Sequence, residues 1–275
     1  GVVWPAAFLI SRKGQTVALV GAIDANGLIG HIPFEVQSYK TTIRDSLLEF
    51  LQQNDPATIA INYSTNDVMA DGLTHGMYLS LCEYLQNTPW LSRLQSSEKI
   101  GAALRGRKSA TEIARLREAI RETLAIFAKV TNFLKPGLSE QDVAAFVMEQ
   151  VNARGLTTAW SPDHCPAVYT GPDTAGTHAG PTTRKIERGH ILNMDFGVRK
   201  DGYVADLQRT WYVLRDGEKQ APAAVQRGFD TIHQAVHKAA AAVRPGVEGW
   251  TVDAVARGII VQAGYEEYPH ALGHQ

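Results

Sequence analysis

Apolar positions alternate along "ILNMDFGVRKDGYVADLQRTWYV", residues 191 to 213. Leu192, Met194, Phe196 and Val198 fall on one side of an extended chain, and Ile191, Asn193, Asp195 and Gly197 on the other. That is the pattern of a strand with one face on a core. Lys200, Asp201 and Gly202 supply a turn, so the stretch predicts a hairpin. A two-residue loop at Lys200-Asp201 sets Asp195 directly opposite Asp206, and one at Asp201-Gly202 sets the two diagonally. In both registers the carboxylates share a face. A three-residue loop would separate them unless a bulge restored the register.

Upstream, "AAFLISRKGQTVALVGA" predicts two strands around a turn at Lys13-Gly14, and "ATIAINYS" (57 to 64) predicts another. "YKTTIRDSLLEFLQQN" and "GMYLSLCEYLQN" carry helical apolar spacing, which makes this region an α/β unit. Near residues 101 to 108 the character changes. Ser109 with Glu112 three residues later forms a capping box, and Ile113, Leu116, Ile120, Leu124, Phe127, Val130 and Leu134 make one apolar stripe. A helix of about seven turns is predicted to open a second domain. The organisation expected is therefore an N-terminal domain over 1–100, a connection over 101–108 and a second domain over 109–275.

The second region contains a repeat. "KPGLSEQDVAAFVMEQVNARGL" (135 to 156) aligns without a gap on "RPGVEGWTVDAVARGIIVQAGY" (244 to 265). Each copy starts with a basic residue, Pro and Gly, continues as an amphipathic helix and reaches a Gly nineteen residues after the Pro. Each is also preceded by a helix. Two copies are too few for a solenoid, so a duplicated domain with pseudo-twofold symmetry is expected, its helical halves covering a curved sheet.

With 44% hydrophobic and 20% charged residues in 275, the chain can bury a substantial core. A formal net charge of -1 gives no footprint for nucleic acid or an anionic membrane. No apolar run reaches the roughly 18 residues that span a bilayer, and the default setting is cytoplasmic. Cys82 and Cys165 have no metal or disulfide spacing and read as small hydrophobes. The chain starts with Gly and stops inside "HALGHQ", so it is expected to be clipped at both ends.

Opposed like charges on one sheet face are destabilising, and a divalent cation such as Mn²⁺ or Co²⁺ would compensate them. A solvated, weakly repelling pair at an edge is the alternative. Of the nine histidines, His270 and His274 lack the Glu that a helical HExxH peptidase needs, and Pro269 and Gly273 argue against a regular helix there. His233 and His237 have helical spacing without that Glu and read as a helix face. His31, His75, His164 and His190 carry no motif, whereas His178 follows a Gly-rich loop that can present a side chain to a cleft.

Taken together, the strand pair with Asp195 and Asp206, His178 seventeen residues before the first Asp, and His-x-x-x-His at 270 to 274 after the second repeat resemble the pita-bread metallopeptidases, in their aminopeptidase P and prolidase branch. "INYSTNDVMADGLT" resembles the end of the creatinase-type N-terminal domain, and "RKSATEIARLREA" the helix that opens the catalytic domain. The resemblance implies an α/β creatinase-like domain followed by an α+β pita-bread domain, incomplete at its C-terminal strands. It implies Asp195, Asp206 and His274 as ligands to two divalent ions, with manganese favoured over cobalt or zinc and Asp206 bridging. His178 and His270 would contact the substrate and stabilise the tetrahedral intermediate.

The implied activity is cleavage at an Xaa-Pro bond of a proline-containing peptide, and a homodimer is implied as the assembly. One departure matters. The family completes its site with two glutamates after the ligating His, and Glu266 and Glu267 precede His274. These residues alone are therefore expected to be inactive. A non-catalytic pita-bread binding module and a metal-free creatinase-like amidinohydrolase are the competing readings; the retained Asp pair and His274 speak against both.

Overall fold

The structure, a computed structural model, describes residues 2–172 and 180–274. It divides into two compact units, Gly1–Arg107 and Lys108–Gln275.

In the first unit β1 (Ala7–Ile10) and β2 (Thr16–Gly21) are antiparallel, with Ala7 opposite Leu19 and a turn closed at Gly14. Next come α1 (Ala22–Ala25) and β3 (Glu35–Tyr39), the latter adding to β2 in parallel. Helix α2 (Arg44–Asn54) follows, then β4 (Ile59–Ile61), α3 (His75–Tyr84) and β5 (Leu94–Ser96), which pairs with β4 in parallel. Val17 and Leu19 of β2 bury against Leu47 and Leu51 of α2. Because β2 is covered along its length, its apolar run is continuous and does not alternate.

Residues Glu98–Gly106, most of which composition assigns to a connection, form helix α4. Ala102, Ala103, Leu104 and Arg105 are strong helix formers, and they outweigh the glycines on either side.

The second unit opens with α5 (Ala110–Phe133), capped by the expected Ser109–Glu112 box. Helix α6 (Glu140–Asn152) carries a second box between Ser139 and Asp142. Strands β6 (Thr157–Thr158), β7 (Ala167–Thr170), β8 (Ile191–Phe196), β9 (Val198–Lys200), β10 (Tyr203–Val204) and β11 (Leu207–Tyr212) follow, then α7 (Ala223–Ala242) and α8 (Gly249–Gln262). β8 lies between β7 and β11, all antiparallel, and β9 lies between β6 and β10.

The core of this unit sits between α5–α6 and the sheet. Leu192, Met194, Phe196 and Val198 are fully buried, as their alternation requires, against Ile126, Phe127 and Val130 of α5 and Val143, Val147 and Val151 of α6. Thr123 of α5 is buried too, and its hydroxyl accepts a bond of 3.2 Å from the Val198 amide, which ties the helix to the hairpin.

The repeat holds at the level of the backbone. Gly137 and Gly246 occupy equivalent positions with φ of +93° and +86°, and Gly155 and Gly264 do so with +63° and +88°. After each second helix the same bonds recur: Gly155 to Asn152 and Leu156 to Val151, then Gly264 to Val261 and Tyr265 to Ile260. These are glycine-terminated helix ends in which a left-handed residue turns the chain back over its last turn.

The two helical pairs differ in what they bury. α7 and α8 share an alanine-rich seam of Ala235, Ala239 and Ala256, while Phe229, Ile232 and Val236 of α7 are exposed.

Candidate metal centre

Asp201 and Gly202 have φ of +50° and +82°, the two positive values that a type I′ turn demands. This selects the second of the two registers open to the sequence. Lys200 pairs with Tyr203, and further along Asp195 pairs with Gln208 and Phe196 with Leu207. Asp206 therefore lies diagonally from Asp195 on the same face.

Gly197 keeps the strands close between the two acids. A Cβ there would stand 1.6 Å from the Ala205 carbonyl oxygen and 3.2 Å from the Asp206 nitrogen. Its own carbonyl accepts from the Ala159 amide at 2.9 Å. It also faces the Cys165 thiol, whose pKa burial pushes up.

The exposed face of the hairpin is a row of polar pairs. Asn193 donates to Thr210 at 3.0 Å, and Gln208 donates to the Asp195 carboxylate at 3.2 Å. Past them, Asp206 Oδ2 lies 3.3 Å from Nε2 of His274. A residue of the hairpin, between β10 and β11, and a residue beyond the second repeat thus meet in space. Asp195 shares their face, held by the amide opposite it. Among the described residues no three His, Cys, Asp or Glu side chains converge as a cation site.

His270 is exposed, with Nδ1 2.8 Å from the Ala271 carbonyl and its ring 5.1 Å from that of Tyr268. As the flanking Pro269 and Gly273 suggested, 270–274 is not helical. His178 lies outside the described residues. His233 and His237 face each other along α7 with their Nε2 atoms 3.0 Å apart. His190 is a satisfied structural residue, in contact with Thr170 and the Glu187 amide.

The donor set suits a divalent cation in kind, since carboxylate oxygens and a neutral imidazole are what manganese, cobalt and zinc accept.

Sequence reasoning missed the residues that hold the histidine segment. Asp253 and Arg257, four apart on α8, pair at 2.8 Å. The Arg257 guanidinium and the Leu272 amide hold the Asp253 carboxyl below its usual range, and the same pairing raises the pKa of Arg257. A signal was present in the repeat. The equivalent positions of the first copy are Ala144 and Met148, so an apolar pair there has become an ion pair here.

The sequence description "Metallopeptidase family M24" matches residues 114–275, more than half of the chain. The chain belongs to this family. M24 relatives include "Probable dipeptidase PepE" of Mycobacterium bovis, 36% identical over 173 residues that make up 62% of this chain and 44% of that protein. Among solved structures, dipeptidase PepE from Mycobacterium ulcerans superposes with a TM-score of 0.72 at 25% identity, covering 94% of this chain and 66% of the other. The Xaa-Pro dipeptidase from Bacillus anthracis does so with a TM-score of 0.71 at 22% identity, covering 100% and 72%. The fold is accordingly the pita-bread fold of M24 preceded by an α/β unit. The chain spans about half the length of the curated relatives it matches. No helix among the described residues is long and apolar enough to cross a membrane.

Proposed function

We propose that these residues belong to a metal-dependent peptidase that cleaves peptides at an Xaa-Pro bond, with Asp195, Asp206 and His274 as metal ligands and His178 and His270 on the substrate side. The observation that carries the reading is the approach of His274 to Asp206 at 3.3 Å, on the face that Asp195 shares. A structural role explains it poorly, because this polar contact, with His274 three-quarters exposed, is too solvated to stabilise the fold by much.

Divalent ions, when held by Asp195, Asp206 and His274, would polarise the scissile carbonyl and lower the pKa of a bound water. The chain's own residues do the rest. Asp195 and Asp206 supply negative charge from one hairpin, Asp195 within β8 and Asp206 just before β11, beside the Phe196–Leu207 pair. Gln208 orients the Asp195 carboxylate by donating to one of its oxygens. His270, exposed beside Tyr268 with Nδ1 held on the Ala271 carbonyl, is placed to contact the substrate. Manganese as the metal, a homodimer and a cytoplasmic setting form part of the proposal, and they are supported by the family resemblance.

Residues 1–275 contain no counterpart of the two glutamates expected after His274, so on this reading they alone hold ions weakly and do not turn over substrate. The test is titration of Mn²⁺ into the protein, followed by electron paramagnetic resonance and calorimetry, with Asp206→Asn and His274→Ala beside the parent. Hydrolysis of an Xaa-Pro dipeptide is assayed in any form of the protein that extends past residue 275. Binding that survives both substitutions, or hydrolysis that survives them, refutes the assignment. Tight stoichiometric binding of two ions by residues 1–275 would refute the claim of weak affinity.

A further inference from the structure

The segment that ends at His274 leaves α8 at Gly264, and nothing in its own backbone makes it regular. Its order comes from two side chains of the helix it has just left. Arg257 donates from one terminal nitrogen to the Glu267 carboxylate at 3.0 Å and to the Tyr268 carbonyl at 2.6 Å. The other terminal nitrogen reaches the His270 carbonyl at 2.9 Å, and the remaining nitrogen reaches Asp253 at 2.8 Å. The guanidinium also stacks on the Tyr268 ring, 4.2 Å from its centroid. Asp253 completes the set by accepting from the Leu272 amide at 2.7 Å. Leu272 itself packs on the Ala256 cluster.

These contacts fall at 267, 268, 270 and 272, so they grip the chain up to two residues before His274. Beyond that point the described partner of the imidazole is Asp206 on the hairpin. Both members of the ion pair are mostly sheltered, with side-chain exposures of 25% and 21%. A planar, five-donor group suits a loop whose carbonyls point inward from several directions, and a lysine could serve only part of them.

We propose that Asp253 and Arg257 are positioning residues that clamp the 267–272 segment onto α8 and so deliver His274 to Asp206. The inference rests on the reading of His274 as a metal ligand, and it assigns to α8 the geometry of that ligand. Partners that orient a ligand from behind are worth about 10- to 100-fold in metal affinity.

The test compares Arg257→Met and Arg257→Lys with the parent protein in three measurements: amide hydrogen exchange at Leu272, imidazole nitrogen shifts of His274 with and without the Asp206→Asn change, and Mn²⁺ affinity. In Arg257→Met the Leu272 amide should exchange about tenfold faster and His274 should stop responding to Asp206→Asn. Mn²⁺ affinity should fall about tenfold or more, with helix content unchanged. Arg257→Lys keeps a cation beside Asp253 but loses most of the carbonyl contacts, so it should fall between. It also serves as the informative variant if the Met variant does not fold.

Parental exchange, parental His274 shifts and parental affinity in a folded Lys or Met variant would overturn the clamp. If the parent binds no Mn²⁺ that Asp206→Asn abolishes, the ligand reading fails. The clamp is then still decided by Leu272 exchange and the His274 shifts, both of which are read without metal.

Discussion

Replacing Gly197 by alanine should be among the most damaging single-methyl changes in this protein. The added Cβ would lie 1.6 Å from the Ala205 carbonyl oxygen and 2.5 Å from its carbon, and both belong to backbone that no rotamer change can move aside. Reaching even a tight 3.0 Å requires the strands to part by about 1.4 Å, the difference between 3.0 and 1.6. That shift is nearly a third of the roughly 4.8 Å spacing between paired strands. It would stretch the Ala205 to Val198 bond of 3.1 Å and pull the Gly197 carbonyl from the Ala159 amide. Overpacking costs about 1–3 kcal/mol, and two backbone bonds add about 1 kcal/mol each. A loss of about 4 kcal/mol is expected, a large share of the roughly 5–15 kcal/mol of a typical domain. Since the same Cβ would sit 3.2 Å from the Asp206 nitrogen, Asp206 moves with the strand and its contact with His274 should go. Urea denaturation followed by circular dichroism measures the first effect, and the His274 imidazole shifts measure the second. A Gly197→Ala protein within 1 kcal/mol of its parent, or with His274 still sensing Asp206, would refute the reasoning.

Three further outcomes follow from the same unit. Glu140 is 2% exposed, and its carboxylate accepts from the Thr170 and Thr182 amides and from the Thr182 hydroxyl. Glu140→Ala strands those donors and should cost about 3 kcal/mol or more in urea denaturation, while Glu140→Gln should cost less; equal, small losses would refute this role. Ser109→Ala removes the α5 cap and should cost about 1 kcal/mol, and a change within error would refute the cap's contribution. Glu112 and Asp142 have lowered pKa values because the Ser109 and Ser139 amides bond to their carboxylates. Their stabilisation is complete above the unfolded carboxylate value near 4 and drains as pH falls through the lower folded values. An acid titration of helix content should therefore lose this contribution only below about pH 4, and a loss that begins well above that would contradict the sign.

What could be read from the sequence followed the strength of local physics. The alternation at 192, 194, 196 and 198 survives intact because one face of β8 is sealed by α5 and α6, and a slip of one residue would expose every one of those side chains. The register was narrowed to two by parity, and the choice lay in turn chemistry: Asp201-Gly202 tolerates the two positive φ values better than Lys200-Asp201 does. By contrast, β3 was not legible. "EVQSY" has no period-two burial, since it is a strand only by pairing with β2, a tertiary decision. Helix α4 was hidden by Gly101 and Gly106, which look like a linker when composition is weighed ahead of propensity. For the proposed site, the shared face of Asp195 and Asp206 could be read from alternation and turn parity, whereas the roles of His270 and His274 came only from the family resemblance. Gln208, Gly197 and the α8 pair could not be read, because what each does depends on a neighbour across a strand or beyond a turn.

The duplication explains how one scaffold serves both packing and the proposed chemistry. In the first copy Thr123, Phe127 and Val130 of α5 are buried between helix and sheet. Their counterparts on α7 are Ile232, Val236 and Ala239, and only the alanine is buried. The first pair of helices therefore spends its apolar face on holding the hairpin still. The second pair closes on itself through small residues and leaves α8 free to use two of its positions for charge. Where α6 presents Ala144 and Met148, α8 presents Asp253 and Arg257, whose bonds run along the chain to Leu272. Rigidity of the carboxylates thus depends on apolar burial in one half, and delivery of the imidazole on polar grip in the other. The two should respond to different perturbations: core substitutions such as Val147→Ala should loosen the hairpin, whereas loss of Arg257 should release His274 with the hairpin intact.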